Sequence, residues 1–143
     1  MPVAVARYLK SQSLSSRLVG WPQFVALDWN GAGLGYESRP ANGNDSSGLT
    51  GCFCAIAETG TLLLIGSANT PKVTALLPET HIAVVRKDRI VRTMEDAFAL
   101  MRAEVGEPPH ATFFVSGPSR TADIEQTIVI GAHGPYRVHV VLV

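Results

Sequence analysis

The chain has 143 residues, 46% apolar and 17% charged, with twelve basic residues balancing twelve acidic ones. That composition builds one packed domain rather than a disordered or polar array, and the zero net charge gives nucleic acid or anionic lipid no field to follow. There is no interleaved basic–aromatic run, no targeting segment in residues 1–10 and no stretch near the ~20 apolar residues that span a bilayer. A soluble cytoplasmic protein with neither nucleic-acid nor membrane partners is expected.

Residues 3–10 read as a short helix with Val5, Tyr8 and Leu9 on one side. A Ser-rich piece, 11–16, leads towards residues 24–27, a short strand candidate ending at Asp28. Residues 30–50 are rich in Gly, Asn and Ser and read as a long loop, either a lid or a connection between layers. Trp21, Trp29 and Tyr36 flank it, and anchoring such a segment to the core is the commoner use of aromatics than lining a pocket.

Residues 52–57 and 61–65 are apolar runs joined by Glu58-Thr59-Gly60, a hairpin in which Gly60 supplies a positive φ. Cys52 and Cys54, two apart, share one face if both lie on a strand. They read as buried small hydrophobes in a reducing compartment, with a metal or redox role as the alternative. An iron–sulfur cluster needs about four thiolates, more than this chain has.

Leu76-Leu77 leads to Pro78, residues 81–85 read as a buried strand, and Lys87-Asp88-Arg89 as a solvated turn before Ile90-Val91. Thr93 is a good N-cap for the clearest helix: Glu95 and Asp96 occupy its first turn, and Ala97, Phe98, Met101 and Val105 form its apolar stripe. Gly106 and Pro108-Pro109 stop it. Residues 111–115 form a strand, Thr121 caps a second helix to Ile130, and residues 137–143 close as a strand. Strand–helix–strand–helix–strand over 82–143 implies an α/β fold: a mostly parallel sheet flanked by helices, with the hairpin as an antiparallel portion.

Chemistry concentrates at the turn between the strand 111–115 and the helix starting at Thr121. A glycine-containing strand-to-helix turn exposes backbone N–H groups and can receive an anion. Ser116, Gly117, Ser119 and Thr121 supply backbone and hydroxyls, and Arg120 can pair with a small carboxylate or phosphate ligand. Equally, Thr121 can simply cap the helix while Arg120 pairs with Asp123 or Glu125. His81 reads as a structural histidine, with a general-base role as the alternative. His133, between glycines, either supports a site or marks a helix stop; His139 reads as a strand-face residue and His110 as incidental. The histidines lack metal-ligand spacing, so no metal is expected.

Three blocks carry a resemblance: AIAETGT at 55–61, LLPETHIAVV at 76–85 and SGPSRTADIEQTIVIGAHGP at 116–135, with VHVVLV at 138–143. Together they resemble the LUD domain family of lactate utilization protein C. The likeness covers residues 51–143 strongly and 1–50 weakly, and family members generally carry a longer N-terminal region. It implies a NagB/RpiA/CoA-transferase-like fold in a single domain, 1–143. It also implies a role in bacterial L-lactate oxidation beside iron–sulfur and cysteine-rich partner proteins, without a cofactor of its own. In the CoA-transferase branch of that fold a glutamate before a glycine-containing turn is the nucleophile. Glu58, supported by Thr59 and Gly60, is similar in arrangement, although a plain hairpin turn explains the same residues. Self-association stays open.

Overall fold

The computed structural model describes residues 1–106, 112–117 and 134–143. Nine strands and three helices lie among them: α1 Pro2–Ser11, β1 Arg17–Gly20, β2 Gly35–Ser38, β3 Ser47–Thr50, β4 Cys54–Ile56, β5 Thr61–Ile65, α2 Val73–Leu76, β6 Thr80–Val85, β7 Ile90–Val91, α3 Met94–Glu104, β8 Thr112–Val115 and β9 Arg137–Leu142. They form two sheets. The first is parallel throughout, in the order β2-β1-β3-β6-β9; the second, β7-β4-β5-β8, is mixed. The expected hairpin is β4–β5, with Ile56 opposite Thr61 and Gly60 at φ +64°.

Three apolar clusters arrange these parts in layers. Val5 and Leu9 of α1 pack on Leu18, Leu49, Ile82, Val84 and Val141 of the parallel sheet. Ala83 and Val85, on the opposite face of the same sheet, meet Leu62, Leu64 and Val115 of the second sheet, with Ala75 of α2 and Trp21 beside them. Leu63 points away, into a cluster with Cys54, Ile56 and Ala97 of α3. The order is therefore helix, parallel sheet, mixed sheet, helix. β6 is buried along its whole length and β5 along all but its last residue, because both faces of each sheet are covered.

Several expectations change. The strand expected at 24–27 is a turn: Pro22 opens a 3₁₀ helix, Pro22–Phe24, where the fixed proline φ suits the tight bend and the Phe24 amide bonds the Trp21 carbonyl at 3.2 Å. The loop expected over 30–50 contains β2 and β3, and β1 precedes it at Arg17–Gly20. These four-residue strands carry little β-branched signal, and parallel neighbours rather than propensity hold them. Aromatic anchoring is as expected. Trp29 stacks on Tyr36 at 4.6 Å, the Tyr36 hydroxyl donates to the Trp21 carbonyl at 2.6 Å, and the Trp21 indole donates to the Pro71 carbonyl at 3.1 Å. Arg39 ties down the following segment by a two-pronged bond to Asp45, at 2.7 and 2.8 Å, and a third bond to Glu37.

The strand expected at 111–115 also differs. β6 and β9 run parallel in one sheet as anticipated, and there they are direct neighbours, because β8, which lies between them in sequence, joins the other sheet antiparallel to β5. Finally, Cys52 and Cys54 do not share a face. Cys52 lies before the strand begins and packs between the sheets, whereas Cys54 packs under α3.

Candidate functional site

The hairpin turn and the end of β8, far apart in sequence, meet in space. Leu62 pairs with Val115, which sets Thr61 across from Ser116, and their hydroxyls bond at 2.7 Å. Thr59, in the turn, bonds Thr61 at 2.7 Å. Three hydroxyls in a chain have three protons and only two internal bonds to make, so one proton is left to donate outside the chain, from Ser116 when the bonds run from Thr59 through Thr61 to it. In that arrangement the exposed Ser116 O–H is available to a group beside the β8 terminus.

A cavity of about 150 Å³ lies there, lined by Ala75 and Leu76 of α2, by Ser116 and Gly117, and by Gly134 and Pro135. Gly117 has φ +95°, a conformation that glycine adopts without strain and that turns the chain sharply at the cavity wall. Ser116 and Gly117 are thus placed together with Thr59 and Gly60, two sequence candidates meeting at one corner. Ser119, Arg120, Thr121 and His133 lie outside the described residues, as do the second helix and His110. Thr61 was the missed participant; its only sequence signal is a hydroxyl opening a strand straight after the turn.

Glu58 lies at the same turn, where its backbone N–H bonds the Arg92 carbonyl at 3.1 Å. Its side chain is exposed, and its carboxylate has no hydrogen bond or ion pair with a described residue. The hydrogen bonds that would orient a nucleophile are therefore not supplied by described residues.

His81 stands apart, buried in β6. Its Nε2 bonds the Thr50 hydroxyl at 2.8 Å, and burial pushes the ring's pKa down to about 4, so the ring is neutral at physiological pH. Its burial and its bond to Thr50 are what a histidine held for packing requires. His139 lies on a strand face, as read, stacked against Tyr8 of α1. Burial also raises both thiols, Cys52 to about 12 and Cys54 in the same direction, opposite to the shift that makes a thiolate ligand or nucleophile. No helix among the described residues is long and apolar enough to cross a membrane, and no group of three or more metal-ligating side chains occurs among them.

The layered sheets and this corner define an α/β domain, and comparison assigns its class: the family profile of the LUD domain matches residues 29–143, so the chain belongs to the LUD domain family. Among individual proteins, it is 33% identical to lactate utilization protein C of Bacillus licheniformis over 139 residues, 94% of this chain and 58% of that protein. It is 44% identical to lactate utilization protein C of Deinococcus radiodurans over 96 residues, 66% of this chain and 45% of that protein. A crystal structure of a DUF162 family protein from Deinococcus radiodurans superposes with a TM-score of 0.64 at 29% identity, covering 99% of this chain and 80% of the other. The chain spans about half the length of the curated relatives it matches.

Proposed function

We propose that the chain is a component of a bacterial L-lactate oxidation system, acting beside iron–sulfur and cysteine-rich partner proteins and contributing no redox cofactor of its own. The match to the LUD domain over residues 29–143 carries this reading, together with relatives named lactate utilization protein C. The thiols support it: burial raises both and they face different layers, which suits packing and leaves cluster ligation to partners. A single domain of NagB/RpiA/CoA-transferase-like architecture is consistent with the parallel sheet and its covering layers.

Co-expression with the iron–sulfur and cysteine-rich proteins of a lactate oxidation system tests it. Co-elution as one species in size-exclusion chromatography is expected; separate elution at every protein ratio rejects the reading. The rival role for Glu58 predicts an acyl adduct at that residue after exposure to an acyl-CoA. Intact-mass measurement should find none.

A second reading is favoured by the cavity beside Ser116: the corner binds a small carboxylate or phosphate through the free hydroxyl donor. Ser116→Ala removes that donor and should abolish any anion-dependent rise in Tm that originates there.

A further inference from the structure

On the α1 side of the parallel sheet, the strand register sets Ser47, Thr80 and Arg137 next to one another across β3, β6 and β9. Alternation fixes their direction. Leu49 and Ile82, two residues further along, lie in the core beneath α1, and His139 stacks on Tyr8 with ring centres 3.8 Å apart and planes 6° apart. All three residues of the row therefore face α1.

What distinguishes the row is polarity without partners. Ser47 Oγ and Thr80 Oγ1 are fully buried and have no hydrogen-bond partner among the described residues. Such hydroxyls are costly unless something satisfies them. The backbone N–H of Arg137, half-buried on β9, donates to the Glu79 carbonyl at 3.0 Å, but its guanidinium forms no hydrogen bond or ion pair with a described residue. The Tyr8 phenol is held close enough for the arginine's charge to act on it, opposing the upward push of burial on its pKa. Burial lowers the His139 pKa, so the neighbouring ring brings no second positive charge at neutral pH. Water can fill the hydroxyls' valences and reach the half-buried guanidinium, but an anion would satisfy both at once and balance the charge.

We propose that this row is an oxyanion-binding site for a carboxylate or phosphate group, entered from the β9 side where Tyr8, Arg137 and His139 are all partly exposed. Arg137 donates two parallel hydrogen bonds to the anion, and the Thr80 hydroxyl and Tyr8 phenol each donate one, with Ser47 next in the row. The site lies against α1, in a different layer from the Ser116 corner, and is independent of the lactate-oxidation reading.

Thermal unfolding of the full chain tests the site, with inorganic phosphate or acetate replacing chloride at constant ionic strength. At tenfold excess over its dissociation constant the bound anion should raise Tm by about 4–5 °C. Thr80→Val keeps the side-chain shape and removes only an unpartnered hydroxyl, so in chloride it should be at least as stable as the parent. It should nevertheless lose most of the anion's increment, Arg137→Gln should lose all of it, and Ser116→Ala should keep it. Whichever of phosphate and acetate gives the larger shift identifies the group. No increment from either anion, an equal increment in Thr80→Val, or loss of the increment in Ser116→Ala would each overturn the proposal. Should Arg137→Gln fail to fold, Thr80→Val still decides.

Discussion

Thr50 and His81 share a 2.8 Å hydrogen bond in a region closed to water, where only the neutral ring fits. The ordinary histidine pKa of 6.5 falls to about 4 in the folded protein. Above pH 6.5 the ring is neutral whether the chain is folded or unfolded, and stability is unaffected. As pH falls from 6.5 to 4, the unfolded chain takes up a proton that the folded one refuses, and up to roughly 3 kcal/mol is lost. Urea titrations across that range should show stability rising with pH, and the rise should be smaller by one proton's worth in His81→Leu. An unchanged slope in that variant would mean the ring is accessible. A buried strand beginning at this histidine was legible in the sequence. Its partner was not, because Thr50 is 31 residues away and is brought near only by the β3–β6 pairing.

At the scale of elements, legibility follows locality. Thr93 caps α3, accepting from the Asp96 amide at 3.2 Å while the Asp96 carboxylate accepts from the Thr93 amide at 3.3 Å. Every part of that capping box lies within four residues, so the sequence displays it whole. Thr93→Ala should cost about 1 kcal/mol, read as a lowered urea midpoint with unchanged slope. The short strands β1 to β3 are the opposite case. Gly48 reads as loop composition, yet it lies inside β3 because α2 crosses there: a Cβ on Gly48 would collide with the Thr74 carbonyl. Gly48→Ala should destabilise by about 1–3 kcal/mol even though alanine is the better residue in an unobstructed strand. A neutral result would show that α2 can move aside.

At the scale of the whole molecule, the two sheets share one interior layer, and Leu63 belongs to the sheet that separates that layer from α3. Leu63 is completely buried, so Leu63→Ala should cost about 2–5 kcal/mol. Trp29 reports on the α1 layer and Trp21 on the layer between the sheets. Single-tryptophan variants, Trp21→Phe and Trp29→Phe, should therefore unfold at the same midpoint, and Leu63→Ala should lower both equally if the layers form one cooperative unit. Diverging midpoints would mean that the sheets unfold separately. The sequence by itself determined α1 and the capped α3, the β4–β5 hairpin, the buried run of β6 and the resemblance to the LUD family, since each is written in adjacent residues. Only the tertiary structure decided that β8 leaves the parallel sheet, that Thr59, Thr61 and Ser116 form one chain, and that Ser47, Thr80 and Arg137 form one row. An apolar strand covered on both faces reads alike in either sheet, and its neighbours are chosen by packing against chain distant in sequence.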